Sequence, residues 1–220
     1  AYNIADGKLS YFAKDGLDYA GGAELNYKVG GTSSNIQEDN TPPTISLFMD
    51  DRSWNLGGTT NTTPLLIADL FDENGINTIG SGIGREMVAI LDEGTDYEET
   101  LILNDFYQPK LNSYQEGVIE FPFDNLSEGP HTLTVKVWDV YNNSAEDYTE
   151  FTVVNDEDLV VNNLLNYPNP FNKFTTFHFD HNKAGQRLNA VLTIKTVAGN
   201  VVKTIASDLW NASSHSSDLT

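Results

Sequence analysis

The sequence has no cysteine among its 220 residues. This absence excludes disulfide bonds, thiolate catalysis and zinc sites built on cysteine. It does not indicate a cytosolic protein, because exported bacterial proteins often lack disulfides. With no recognisable catalytic constellation of other residues either, we expect that these 220 residues are not themselves an enzyme.

Positive charge is also scarce, and what there is lies unevenly along the chain. Residues 1–157 hold 7 Lys and Arg against 28 Asp and Glu, a balance of −21, whereas residues 158–220 hold 5 against 4, a balance of +1. Such an acidic body repels phosphate groups, which argues against nucleic acid and anionic membranes as partners. No apolar run approaches the roughly 20 residues of a membrane helix, so we expect no transmembrane segment.

Helical periodicity is missing too, and period-two alternation takes its place. In His131–Trp138, one face carries Leu133, Val135 and Val137 while the residues between them are polar. Strands of this kind, separated by Gly, Pro and Asn turns, predict an all-β protein made of tandem immunoglobulin-like β-sandwiches. The first sandwich is predicted over residues 44–155, with strands at Thr44–Met49, Pro64–Phe71, Glu86–Leu91, Thr100–Leu103, Gly117–Phe121, His131–Trp138 and Tyr148–Val154.

The rest of the chain divides around this sandwich. Residues 1–31 predict a strand pair that belongs to an upstream domain or pairs with the next one, and residues 32–43 are a polar linker that ends in two prolines. Residues 160–220 predict only three strands, Phe174–Asp180, Leu188–Val197 and Asn200–Ala206. Because three strands do not close a sandwich, we expect the second one to be incomplete, with a truncated or disordered end.

Asn166-Tyr-Pro-Asn-Pro-Phe171 separates the two halves. Each proline fixes φ and lacks an N–H, so the segment fits neither a helix interior nor a central strand. We expect a stiff, extended crossing segment whose rings, Tyr167 and Phe171, anchor in a core.

Carboxylates near the predicted domain ends suggest a cation site. Asp39 precedes the first sandwich, Asp139 lies in one of its loops, and Asp156 follows it. Calcium takes six to eight oxygen ligands, and linkers between extracellular sandwiches often supply them, so these three residues are the candidate calcium ligands. The acidic loop with Glu93, Asp96, Glu98 and Glu99 is interpreted as a solvated loop, because nothing fixes the separation of any two carboxylates.

The histidines give no clear site. His178 and His181 have metal-like spacing, but in a strand they point to opposite faces. A Ser-His-Asp triad has no nucleophile-elbow motif to support it.

The proline segment also carries a family resemblance. This part of the chain resembles the C-terminal sorting domain of type IX secretion cargo. The resemblance rests on Tyr167, Pro168, Asn169, Pro170 and Phe171, followed by Thr-Thr-Phe-His-Phe179 and Val-Ala-Gly-Asn-Val-Val202. In that family the domain is a β-sandwich read by the secretion translocon. The resemblance covers residues 160–206, and Lys173 stands where the family commonly has Pro.

A second resemblance covers residues 40–155. Three segments resemble the region before the sorting domain in type IX sortases, which are gingipain-like cysteine peptidases. These segments are Asp-Glu-Asn-Gly-Ile-Asn77, Glu-Gly-Pro-His-Thr-Leu133 and Val-Trp-Asp-Val-Tyr-Asn-Asn143. The catalytic Cys and His of that family lie in an upstream domain and match no residue here.

Together these resemblances imply the non-catalytic C-terminal region of a secreted or cell-surface sortase-like peptidase. They imply a location from the periplasm to the outer-membrane surface of a Gram-negative bacterium. The expected partners are the translocon and outer-membrane components, and an open sheet edge allows a dimer.

Two alternatives remain open. One is a calcium-stabilised adhesin or stalk. The other is a carbohydrate-binding module of a secreted hydrolase, in which Trp54, Trp138 or Trp210 stacks on sugars.

Overall fold

Alternating side chains produce an all-β structure, as the sequence predicted. The computed structural model describes residues 4–31, 38–79, 85–155, 158–210 and 213–219. Its sixteen strands in these ranges are β1 Ala5–Asp15, β2 Asp18–Val29, β3 Thr44–Met49, β4 Gly58–Thr60, β5 Leu65–Phe71, β6 Val88–Leu91, β7 Glu99–Ile102, β8 Tyr107–Pro109, β9 Glu116–Pro122, β10 Gly129–Trp138, β11 Ser144–Val153, β12 Val161–Tyr167, β13 Thr176–His181, β14 Leu188–Lys195, β15 Val201–Leu209 and β16 His215–Leu219. The only helical turn in the described ranges is a 3₁₀ turn at Asn104–Phe106. Within these ranges no helix has the length and apolar character to cross a membrane.

The chain divides into two compact units, one ending at Asp39 and the other beginning at Asn40. The first contains the antiparallel hairpin β1–β2, in which every residue except the half-buried Gly7 is exposed. The ring of Tyr11 lies over Gly22, where a Cβ would overlap it. The predicted strand pair is therefore present, and Gly21 and Gly22 lie inside β2. Residues 32–37 of the predicted linker lie outside the described residues.

The second unit begins with the sandwich, residues 44–155. A five-stranded sheet, β4-β11-β10-β6-β7, faces a four-stranded sheet, β3-β5-β9-β8. The long ladder of β10 and β11 runs from Gly129 opposite Val153 to Trp138 opposite Ser144. All seven predicted strands of this region are present, and the sequence missed the short edge strands β4 and β8.

The core of the sandwich follows the predicted alternation. Leu133, Val135 and Val137 are fully buried, and Phe151 and Val153 of the neighbouring strand are almost so. They belong to a cluster of sixteen buried apolar side chains drawn from both sheets. Burying apolar surface stabilises a fold by about 25 cal/mol per Å². Because this cluster is much larger than the apolar cluster of the remaining residues, it is the main source of stability in the second unit.

Residues 158–219, called here the C-terminal module, form two small sheets. One has the order β12-β13-β16, and the other is the hairpin β14-β15. Among the side chains that the structure describes in these sheets, Phe179 and Leu209 are the buried apolar ones, with Phe177 and Leu192 among those partly packed around them. Strands β12 and β16 were not predicted from the sequence. The module and the sandwich form one compact unit with two separate cores.

Candidate functional site

The Tyr-Pro-Asn-Pro-Phe motif lies at the turn between β12 and β13. These strands are antiparallel neighbours, with Tyr167 opposite Thr176, so the segment joins adjacent strands of one sheet. The expected extended crossing between domains is therefore wrong. The peptide bonds before Pro168 and Pro170 are both cis. We call residues 168–175 the Pro-Asn-Pro loop.

Polar side chains at the base hold this loop in place. Thr175, which is buried, donates its hydroxyl to the carbonyl oxygen of Pro168 at 2.9 Å. The side-chain amide of Asn166 donates to the Thr175 hydroxyl oxygen at 3.1 Å, and that of Asn169 donates to the Asn166 side-chain oxygen at 3.3 Å. Each of these bonds satisfies a group in a loop that has few backbone bonds of its own. The loop is thus held by the side chains of its own motif.

The loop presents aromatic rings to solvent. All five motif residues are exposed, and the rings of Tyr167 and Phe171 are 72% and 53% exposed. Phe174, at the far side of the loop, is 72% exposed as well. The prediction that Tyr167 and Phe171 anchor in a core is therefore wrong, because both rings lie at the surface.

An apolar groove opens between the two sheets of the C-terminal module. It has a volume of about 250 Å³ and lies between β12 and β14. Its lining comes from both strands and the residues around them: Leu159, Val161, Leu164, Phe179, Leu188, Asn189, Ala190, Val191 and Leu192. In the described sheets β12 pairs only with β13, and β14 only with β15. Strands β12 and β14 therefore each have one edge without a strand partner in the described sheets, and the groove lies between these two strands.

The three candidate calcium ligands have different positions. Asp139 is fully buried in the sandwich, Asp39 is half-buried at the end of the first unit, and Asp156 lies outside the described residues. A carboxylate oxygen of Asp139 lies within 4.8 Å of one of Asp72, a buried residue that was not among the candidates.

Both buried carboxylates already accept hydrogen bonds from their own loops. Asp72 accepts the backbone N–H groups of Asn74 and Gly75, each at 2.8 Å. Asp139 accepts the backbone and side-chain N–H groups of Asn143 at 2.8 and 2.7 Å. These bonds organise two turns, and calcium binding at Asp39, Asp139 and Asp156 stays a prediction.

A Ser-His-Asp arrangement occurs inside the sandwich, which the sequence did not indicate. His131 Nδ1 lies 2.7 Å from Asp92 Oδ2, and His131 Nε2 lies 3.3 Å from Ser127 Oγ. However, Nε2 is only 2.8 Å from the backbone carbonyl oxygen of Ser127. At that distance Nε2 must carry a proton and donate it, so it has no lone pair with which to activate the hydroxyl.

The role of this arrangement is structural. Asp92 also accepts the backbone N–H of Thr132 at 2.9 Å, and its own N–H donates to the Thr132 carbonyl oxygen at 2.9 Å. Asp92 and His131 thus tie the turn after β6 to the start of β10. The signal in the sequence is Asp92-Glu93-Gly94 directly after an apolar strand, since Asp and Gly tolerate the positive φ that both Asp92 and Gly94 adopt in this turn.

The three tryptophans differ in exposure. Trp54 is half-buried against the sandwich core and its Nε1–H donates to Thr149 Oγ1 at 3.4 Å, while Trp138 is half-buried under Lys136. Trp210 is 70% exposed, and the guanidinium of Arg187 lies 3.9 Å from its ring centre. Trp210 is the tryptophan most open to a sugar, and the carbohydrate-binding alternative remains a prediction for that residue.

Comparison with known proteins gives one informative match. No protein-family model matches the chain, and no curated protein matches it. The chain is similar to the crystal structure of dimeric latent PorU from Porphyromonas gingivalis, with 33% identity and a TM-score of 0.52. The match covers 88% of this chain and 18% of the PorU chain. PorU is a type IX sortase, so the match agrees with the second resemblance found in the sequence. The chain is therefore similar in both sequence and fold to a part of PorU.

Proposed function

We propose that this chain is the non-catalytic C-terminal region of a sortase-like cysteine peptidase and carries the signal that type IX secretion machinery reads. The observation that carries the proposal is the Pro-Asn-Pro loop, which its own side chains hold and which displays Tyr167 and Phe171 to solvent. The similarity to PorU supports the same family context. The recognised surface is the loop together with the open groove beside β12.

The expected lack of catalysis is part of the proposal. The sequence has no cysteine to serve as nucleophile. The one serine, histidine and aspartate grouping described above has its Nε2 proton committed to a carbonyl oxygen. The catalytic step of the proposed parent protein therefore belongs to residues outside these 220.

The proposed partners and location follow from the surface. Exposed rings and open strand edges fit a protein that adds a strand or packs an aromatic pocket on the loop, as translocon or outer-membrane components would. A second copy of the chain could use the same edges to form a dimer. The proposed location is extracytoplasmic, from the periplasm to the outer-membrane surface.

Secretion of a reporter tests the proposal. The whole chain is fused behind a reporter in a bacterium with a type IX system, and surface or secreted reporter is measured. We expect Tyr167→Ala with Phe171→Ala to reduce secretion at least about tenfold, because solvent-exposed rings matter to a partner and little to folding.

The matched control is Val201→Ala with Val202→Ala, which removes similarly exposed apolar side chains from β15 that do not line the groove. This control should be secreted normally. Equal secretion of the loop variant and the unaltered chain would contradict the proposed signal.

A further inference from the structure

A buried polar seam joins the sandwich to the C-terminal module. We define the seam by five residues: Asp51 and Ser53 in the loop after β3, His181 and Asn182 at the end of β13, and Ser214 just before β16. Asp51 Oδ2 accepts the backbone N–H of Ser214 at 2.6 Å, and Asp51 Oδ1 accepts the Ser214 hydroxyl at 3.2 Å. The hydroxyl oxygens of Ser53 and Ser214 lie 3.1 Å apart. The carboxylate of one module thus fixes the first residues of a strand in the other.

His181 forms the other side of the seam and is 2% exposed. Its backbone N–H donates to the Ser214 carbonyl oxygen at 2.9 Å. Its ring Nδ1 accepts the backbone N–H of Lys183 at 3.1 Å. A ring nitrogen that accepts a hydrogen bond carries no proton, so this arrangement requires the neutral imidazole with its proton on Nε2.

The surroundings of His181 contain charges of both signs. Asp51 faces it from the loop after β3, Asp180 precedes it on β13, and the nearly buried Lys183 follows it. The neighbouring cleft is otherwise lined by uncharged residues, including Asn55 and Thr59. Burial lowers the pKa of His181 below its ordinary value of 6.5, and this effect outweighs the opposite effect of the two carboxylates.

The sign of the pH dependence follows from this direction. Since the folded-state pKa lies below that of the unfolded chain, the unfolded chain binds a proton more readily. The stability that the neutral ring contributes is fully present above about pH 6.5 and declines as the pH falls toward the folded-state pKa. Protonation of Nδ1 also leaves the Lys183 N–H without its acceptor.

We propose that this seam is an acid-sensitive latch: protonation of His181 loosens the hold of Asp51 on Ser214 and frees the start of β16 from the sandwich. The consequence is local. Strand β16 pairs with β13, including Asp180 opposite His215, so its release exposes the edge of β13 in the sheet that bears the Pro-Asn-Pro loop. Acidification would thereby add a further open edge to the C-terminal module without unfolding the sandwich.

Hydrogen exchange on the whole chain tests the latch. Protection of the His181 and Ser214 amides, corrected for intrinsic exchange, should fall severalfold between roughly pH 7.5 and pH 5.5, with about tenfold as the upper limit for one histidine whose open-state pKa is about 6.5. The Val135 amide in the sandwich should keep its protection. His181→Asn supplies a side-chain oxygen near the position of Nδ1 but does not titrate in this range, so its seam should not respond to pH.

His178→Asn is the matched control, because His178 lies on the same strand but is less buried. It should behave like the unaltered chain. The latch is refuted if the unaltered seam keeps its protection at the lower pH, or if His181→Asn responds as the unaltered chain does.

A titration of the unaltered protein by NMR keeps the test independent of any folding defect. The His181 ring should titrate below about pH 6.5, and the seam amides should change with the same midpoint. A His181 midpoint at or above that value would overturn the proposal.

Discussion

The sandwich and the C-terminal module use the same alternation of side chains but bury very different amounts of apolar surface. Sixteen buried apolar side chains form one cluster in the described part of the sandwich, whereas the buried cluster in the described part of the module consists of Phe179 and Leu209. In β10 the inward residues are fully buried, but in β14 they are only half-buried. The difference lies in the facing sheet, because alternation creates an apolar face and only a second sheet of matching size covers it.

The two regions also use carboxylates differently. In the sandwich, Asp72, Asp92 and Asp139 accept backbone hydrogen bonds and hold turns. In the C-terminal module, Asp208 is exposed, and Asn189 and Arg187 beside it lower the pKa of its carboxyl. The well-packed sandwich therefore buries or half-buries the carboxylates that hold its turns, whereas this carboxylate of the open module is exposed to solvent. Polar bonding at the seam, rather than a shared apolar core, connects the two.

The largest expected effect comes from the same substitution made in both regions. Leu133→Ala leaves a cavity in the sandwich and should lower the free energy of unfolding by about 2–5 kcal/mol. Leu192→Ala removes a half-buried side chain beside an open groove and should cost no more than about 1 kcal/mol. Urea unfolding followed by Trp54 fluorescence, together with circular dichroism, measures both. Equal losses would mean that the module is packed as tightly as the sandwich.

A smaller effect is expected from removing one carboxylate in each region. Asp92→Ala leaves the Thr132 N–H and the His131 ring without their acceptor and should cost about 1–3 kcal/mol. Asp208→Ala should change stability much less, because its partners remain in water. The same urea titration compares the two variants. A loss from Asp208→Ala as large as that from Asp92→Ala would contradict the contrast between enclosed and displayed carboxylates.

Period-two alternation was enough to predict the strands whose faces are buried. Strands β3, β5, β9 and β10 lie close to where the sequence predicted them, and β11 begins four residues earlier than predicted. Strand β10 alternates along its length, whereas β5 is a short apolar run with consecutive buried residues. Strands β4 and β8 were missed since three residues carry no periodic signal, and β12 was missed because its sequence, Val-Asn-Asn-Leu-Leu-Asn-Tyr, does not alternate. Tertiary pairing, which a single strand does not encode, defines all three.

The candidate site was predicted in part. The motif residues from Tyr167 to Phe171 were identified from their order in the sequence. Their solvent exposure, however, depends on how many strands surround them, and the motif itself does not indicate that number. The seam is a further case: Asp51 and Ser214 are 163 positions apart, and no local pattern connects them. Long-range polar pairs of this kind are visible only after the sheets are placed.

The smallest expected change in stability comes from calcium. If calcium binds, the sandwich would differ from the C-terminal module in holding a metal ion as well. Extracellular calcium sites have dissociation constants of roughly 10⁻⁴–10⁻³ M, so about 5 mM calcium should stabilise chelator-treated protein by about 1–2 kcal/mol. For a chain of this size that raises Tm by a few degrees. Scanning calorimetry with EDTA and then with calcium measures the shift. Asp139→Asn, which removes charge from the buried pair with Asp72, should abolish it, while Asp96→Asn in an exposed loop should retain it. An unchanged Tm in the unaltered protein would mean that Asp72 and Asp139 serve only to hold their turns.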